Sequence, residues 1–412
     1  MNAAAPPPRP TTLSPFRHRL FLALWSSALC SHFGNAIQGV GASWWMTAAG
    51  ESAERIALVQ TAISAPLLVV SLIGGAVADL FDRRLVMLGA QLAMCAASVG
   101  LAFLSGFDLL TPWLLLGFTF FLGSCVALFG PAMQATIGDI MPRHEIGGAV
   151  SLNILGFNVA RSMGPAIGGA IVAIGQSTAA FAVNAASYLG AIAIIGLWRP
   201  QPRDRPAGAT RILAAIGEGI GHVTRSPELR TICVRAFAFT LTGGAAWALM
   251  PLVARDLVRG GPQQFGILLG ALGLGAVLGA LINARVRHHL GAEAIVRLSG
   301  AIYGLACLIV ASGPGLWPTF IVLVIGGAGW VQALSGFMIA AQLWSPRGAI
   351  GRVASTNNAV VFGGLAIGAW LWGRVAEVFG TPLAIGSSGA LMLLLPLIGL
   401  LLPMPAHHHE PG

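Results

Sequence analysis

The sequence predicts an all-α membrane protein of twelve transmembrane helices in two similar six-helix halves, and three observations carry that expectation. Of 412 residues, 56% are hydrophobic and 9% charged, with a mean hydropathy of +0.80, which is too little polar surface to coat a soluble globule of this size. Twelve apolar runs are each long enough to cross about 30 Å of hydrocarbon, which takes roughly 20 residues of helix. One register relates the first half of the chain to the second.

The runs, in order, are Leu20 to Ala48, Ala57 to Ala78, Leu85 to Ser105, Pro112 to Ile140, Gly147 to Gly175, Ala179 to Trp198, Leu229 to Ala254, Phe265 to Asn283, Ile295 to Gly313, Trp317 to Trp344, Val353 to Phe379 and Leu383 to Leu402. Before the first lies a Pro-rich tail, residues 1–15, expected to be disordered. The first run is too long for a signal peptide and lacks its small-residue cleavage site, so it is expected to remain as a helix. Residues 16–198 form the N-terminal half, 199–226 a Pro- and Arg-rich linker, 227–403 the C-terminal half and 404–412 a closing tail.

The sequence contains no lysine, so arginine supplies the whole basic content and the formal net charge of +9. Arg17, Arg19, Arg83, Arg84, Arg143, Arg285, Arg287, Arg347 and Arg352 lie in the tail or the even-to-odd connections, and Arg199 to Arg230 in and around the linker. The opposite loops hold chiefly Arg55, Arg255 and Arg259. Short arginine-rich loops stay cytoplasmic, so both termini and the linker are expected inside. The charge thus reports membrane topology, and no nucleic-acid partner is expected. Arginine without lysine beside abundant Ala and Gly fits a GC-rich bacterial genome, hence a bacterial inner membrane. The five cysteines all fall inside apolar runs without metal-ligand spacing, so no metal site is expected.

An offset of 204 residues places Gly75 on Gly279 and Asp79 on Asn283. It also places Pro142, Arg143, Ile146, Gly147, Ser151, Asn153 and Gly164 on Pro346, Arg347, Ile350, Gly351, Ser355, Asn357 and Gly368. A tandem duplication facing itself across a central cavity follows.

The segment from Gly74 to Arg84 joins small residues at a helix end to Asp79 and a basic pair in a tight loop. It resembles the loop between the second and third helices of the major facilitator superfamily, with Leu80 and Asp82 replacing an arginine and a glycine of that pattern. The resemblance implies that Asp79 meets a helix N-terminus of the other half, whose free N–H groups and dipole favour a carboxylate, and so latches the cytoplasmic side. Arg83 is a candidate partner for Asp139; alternatively, Arg83 and Arg84 only enforce topology. On the fifth helix, Gly156, Ala160, Gly164 and Gly168 recur every fourth residue, leaving a nearly bare face for close approach. The core Gly164, Pro165, Gly168 and Gly169 resembles the superfamily's antiporter motif, associated with exporters, although helix packing alone is the other reading. Comparable seams are Gly275 with Gly279 and Gly364 with Gly368, and the family packs the fifth helix on the eighth and the second on the eleventh. With Asn184 to Ser187 and Pro251 to Arg255, the chain is similar to the enterobactin-exporter-like branch. The Gly273 to Gly275 run lacks a third glycine and a preceding strand, so no nucleotide partner is expected.

Polar groups inside a membrane point to function. His32, Asn35 and Gln38 follow at three-residue spacing on the first helix, and Asn158 and Arg161 share a face of the fifth. Gln332, Asn357 and Asn358 are expected to complete a polar cavity, with Trp247 and Trp330 as aromatic walls. No acid falls at mid-membrane, which leaves His32 as the candidate proton carrier, with Arg161 either repelling its protonated ring or holding an anionic substrate. The rival is coupling through a charged substrate, with His32 a structural donor. The resemblance implies a monomeric secondary transporter that exports a small amphipathic or hydrophobic molecule, needs no cofactor and draws on the proton gradient. Uptake, uniport and a non-transporting sensor of the same fold are the alternatives. Paired acids or a metal cluster at a helix end, as a lipid-modifying enzyme would require, are not found in the sequence.

Overall fold

The computed structural model describes residues 13–80, 82–199, 212–346 and 349–405, except for the side chains of 71–80, 212–216, 284, 398, 400 and 401. The described chain forms α1 (Arg19–Ala48), α2 (Ala53–Leu80), α3 (Arg83–Gly106), α4 (Pro112–Ile140), α5 (Ile146–Leu197) and α6 (Ile212–Arg225). It continues with α7 (Pro227–Leu252), α8 (Pro262–His289), α9 (Ala292–Ala311), α10 (Leu316–Leu343), α11 (Ile350–Phe379) and α12 (Thr381–Leu401). Local chemistry sets several ends. Thr111 and Ser226 accept free N–H groups at the starts of α4 and α7, and each is followed by a proline whose missing N–H forfeits nothing there.

Ten described helices are long and apolar enough to cross a bilayer. One of them, α5, has 52 residues, about 78 Å at 1.5 Å per residue, far more than the membrane needs. The backbone breaks at Gly175 and Gln176, where φ reaches +57° at Gln176. The two arms then run in opposite directions along α1. In the first arm Gly156 meets Trp25 and Gly168 meets Ile37 and Val40; in the second, Ala180 meets Gly41 and Asn184 meets Gly34. The arms are the fifth and sixth spans, and the shorter apolar stretch Thr381–Leu397 of α12 completes twelve.

The two halves repeat one packing scheme. In the first, α1 packs on α5, α2 on α4 and α3 on α5; in the second, α7 packs on α11 and α12, α8 on α10 and α9 on α12. The halves meet chiefly along α5 with α8 and α2 with α11.

The glycine seams are redistributed relative to the sequence expectation. Gly156, Gly164 and Gly168 face α1, Gly275 and Gly279 face Val324 and Ala328 of α10, and Gly364 and Gly368 face Thr240 and Leu241 of α7. All of these contacts lie within one half. Between halves, Gly169 approaches Pro262 and Gly266, while Gly270 and Gly273 approach Ser162, and Gly373 approaches Ala57. Four-residue spacing marks a close helix contact but names no partner, and the inter-half surface lies on the neighbouring strip of each helix.

Two further features escaped the pattern reading. Residues 212–225, inside the linker, form α6, which lies against α11 and bonds Glu218 to Arg352. Arg235 is only 5% exposed. Its guanidinium makes two bonds to Glu293 and one to the Leu402 carbonyl, while Glu293 also accepts from Arg297 and from the Met404 N–H. This cluster ties α7, α9 and the end of α12.

Candidate transport pathway

A cavity of about 500 Å³ lies between the halves, lined by Ser31, His32 and Asn35 of α1, Gln91 of α3, Asn153 and Phe157 of α5, and Ser355 and Asn358 of α11, among others. The α3, α5 and α11 residues sit within the first few turns of their helices, so the cavity occupies the part of the molecule nearer the arginine-rich loops. The opposite end is held shut. There the backbone N–H groups of Ala53 and Glu54, at the start of α2, donate to Glu377 of α11 at 2.6 and 3.5 Å. Glu54 in turn accepts from Trp370 and from Arg374, the latter at 2.9 Å. Trp44 stacks on Phe265 from α8. A carboxylate at a helix N-terminus is favoured by unpaired N–H groups and the dipole together. The device the sequence suggests for Asp79 is thus present at the other end, on Glu377. Asp79 and Gly75 fall on the last turns of α2, whose side chains lie outside the described residues.

Arg83 donates to Asp139 Oδ2 at 2.5 Å and to the Ala135 carbonyl at 3.2 Å. Arg84 binds the Ile195 and Gly196 carbonyls near the end of α5, where a cation offsets the helix dipole. His18 bonds Glu145 at 2.8 Å. Desolvation pushes the Glu145 carboxyl up, but its polar surroundings, led by the His18 hydrogen bond, outweigh it and leave the group below its usual range.

Not every predicted polar residue reaches the cavity. His32 lies edge-on to Phe157 with ring centroids 5.3 Å apart, and Asn35 sits one step further along the same wall. Gln38 turns away into the N-terminal half, where it accepts from Ser98 at 2.7 Å and from Asn184. Three-residue steps lag the helical period by about 60° each, so two steps carry Gln38 off the face that His32 occupies. Asn184 also donates to Tyr188, whose hydroxyl donates to Asn35 Oδ1 at 2.5 Å. That bond fixes Asn35 with its amide N–H groups free for the cavity. Asn158 is spent on its own helix, donating to the Ile154 carbonyl. Gln332 is buried and donates to the Gly279 carbonyl, joining α10 to α8. Asn358 lines the cavity whereas Asn357 is buried with its carbonyl oxygen unpaired. Trp330 belongs to the C-terminal core, packed on Tyr303 and Phe239, and Trp247 lies beneath the Arg161 guanidinium at 5.3 Å. Gln91, which pattern reading passed over, is 0% exposed with neither amide atom bonded. A single amide in an apolar run carries no periodic signal.

Pro165 lies inside α5. Its missing N–H frees the carbonyl of Arg161, four residues earlier, from the helix ladder. That carbonyl and the Ser162 backbone face Gly273, and Pro165 and Gly169 face Gly266. The antiporter-like segment Gly164, Pro165, Gly168 and Gly169 therefore uses Gly164 and Gly168 against α1 and the other two against the opposite half.

A family model described as transmembrane secretion effector matches residues 10–411. The multidrug efflux pump Tap of Mycolicibacterium fortuitum is 28% identical over 400 residues, spanning 94% of this chain and 96% of its own. The enterobactin exporter EntS of Escherichia coli O1:K1 / APEC is 27% identical over 398 residues, 93% of this chain and 91% of its own. Among solved structures, a bacterial homologue of the human lysosomal transporter Spinster, in an inward-facing and occupied conformation, has a TM-score of 0.72 at 14% identity. That match covers 94% of this chain and 97% of that one.

Proposed function

The chain belongs to the transmembrane secretion effector family of the major facilitator superfamily, whose members move small molecules through a multi-pass membrane protein, and from that premise we propose that it is a proton-coupled exporter of a small amphipathic or hydrophobic molecule working by alternating access. The observation that carries this reading is the cavity between the halves, sealed at the Glu54 and Glu377 end and lined by isolated polar groups among apolar ones. Arg374 joins Arg55, Arg255 and Arg259 at the sealed end, which still leaves the opposite loops richer in arginine. The sealed end is then periplasmic, and the protein is an inner-membrane monomer with both termini cytoplasmic. Reporter fusions giving an external signal from either terminus would reverse the assignment. The relatives Tap and EntS support a drug-like or siderophore-like cargo.

One proton crossing about 100 mV supplies roughly 2.3 kcal/mol, and a tenfold pH difference adds about 1.4 kcal/mol. His32 is the proton carrier in this reading, placed on the cavity wall beside Asn35. Arg161 and Trp247 extend the pathway, and Asp79 with the Arg83 and Asp139 pair forms the cytoplasmic gate. In proteoliposomes with an imposed pH gradient, wild type is expected to accumulate one of two dyes, the amphipathic cation ethidium or the polycarboxylate anion calcein. His32→Gln is expected to retain downhill flux while losing gradient-driven accumulation. Accumulation at the wild-type rate in His32→Gln would remove the histidine from the coupling, and downhill flux alone in wild type would favour a uniporter. No movement of either dye would sink the exporter reading. In the same assay Asp79→Asn should insert normally yet transport poorly, because the charge that favours the latch is gone; unchanged flux would exclude the latch.

A further inference from the structure

Arg161 sits on α5 one helical turn beyond Phe157 of the cavity wall, and its Nη2 is buried with no hydrogen-bond partner. Among the described residues its guanidinium rests on the face of Trp247. Several other arginines meet carboxylates: Arg83 meets Asp139, Arg297 and the buried Arg235 meet Glu293, and Arg352 meets Glu218; Arg287 also has a buried Nη1 without a partner, but it lies in the last turn of α8 and not beside the cavity. Among the described residues no carboxylate pairs with Arg161. A guanidinium without an anion at this depth is unfavourable, and the α5 carbonyl beside it, freed by Pro165, faces Gly273 and offers it no compensation. The residue as a whole is half-buried, one turn from the cavity wall at Phe157. An indole face leaves the planar edge of a guanidinium free, and that edge matches the two oxygens of a carboxylate.

We propose that Arg161, resting on Trp247, seats the carboxylate of an organic acid, so that the carried molecule is an amphipathic anion. This rests on the transporter reading above and names its substrate class. The anion completes the charge balance that the fold leaves open. Its apolar part lies toward Phe157, and the amide of Asn35 remains for its polar groups.

The test uses the purified full-length protein in nanodiscs, with melting followed by tryptophan fluorescence, and benzoate and benzamide as probes of one shape and different charge. Benzoate is expected to raise the melting temperature and benzamide to leave it unchanged. Arg161→Lys should keep a reduced preference and Arg161→Gln should lose it. Without ligand, Arg161→Gln should melt above wild type, by about 2 °C or more, because it removes an unpaired charge. Equal effects of the two probes would overturn the proposal, as would an unliganded Arg161→Gln protein that melts far below wild type in the manner of a structural arginine. Stabilisation by chloride over gluconate with no added effect of benzoate would likewise overturn it, assigning an inorganic anion. Binding is read here without a gradient, so failure of the benzoate preference beside intact dye accumulation would remove the carboxylate seat and leave the transporter reading standing.

Discussion

Glu293→Ala is expected to destabilise the protein by about 3–5 kcal/mol, the usual consequence of removing one partner of a buried ion pair. Arg235 is 5% exposed and Glu293 25%, so solvent does little to replace the lost carboxylate. Four groups lose their acceptor together: both Arg235 nitrogens, Arg297 and the Met404 N–H. Because the cluster joins α7, α9 and the end of α12, the C-terminal half should loosen as a unit. The measurement is the melting temperature and monodisperse yield in detergent, with Arg297→Ala as a control. Arg297 is 36% exposed and its loss should amount to about 1 kcal/mol or less. A Glu293→Ala protein that melts with wild type would show that the cluster contributes nothing to stability.

Gly273→Ala should abolish most transport while Gly270→Ala, three residues away on the same helix, leaves it nearly intact. Both changes raise helix propensity alike, by about 1 kcal/mol, so propensity cannot separate them. A Cβ at Gly273 would lie 2.5 Å from the Ser162 Cα and 2.8 Å from the Arg161 carbonyl oxygen, whereas at Gly270 the nearest atom is 3.2 Å away. The atoms met at Gly273 are backbone of the opposite half and have no rotamer by which to retreat. Overpacking typically amounts to about 1–3 kcal/mol. Imposed on the closed arrangement of this seam alone, it shifts the ratio of the two states by about 5–150-fold. Gradient-driven dye flux in proteoliposomes of matched protein content reads the outcome, and equal flux from the two variants would show that the α5–α8 seam does not limit the cycle.

The gate illustrates how far a pattern carries. The Gly74 to Arg84 segment draws attention to one end of the molecule through its compact run of small, acidic and basic residues. The latch described at the other end is assembled from Ala53 and Glu54 of α2 and Trp370, Arg374 and Glu377 of α11, more than 300 positions apart. Neither stretch contains a motif, because a helix N-terminus needs only its own N–H groups and a carboxylate delivered from anywhere. Gln38 and Gln332 teach a related lesson. An amide inside a membrane must find a partner, but composition does not say whether that partner is a cargo, a neighbouring hydroxyl or a backbone carbonyl.

What the sequence determined by itself is everything that follows from the solvent and from local periodicity. Apolar run lengths define the twelve spans down to the Gly175 break, the single register of Gly75 on Gly279 and Asn153 on Asn357 defines the repeated half, and arginine placement distinguishes the two ends. These are properties of a chain meeting a bilayer, where each span satisfies its own backbone and is recognisable alone. Only the tertiary structure decided which face of each span meets which neighbour. It sends Gly164 and Gly168 to α1 and Gly169 to the opposite half, buries Arg235 with a partner, and leaves Arg161 over Trp247 without one. Rotation of a helix about its axis is set by packing against elements distant in the chain, and a turn of 100° between adjacent residues separates an interior amide such as Asn357 from a cavity-lining one such as Asn358.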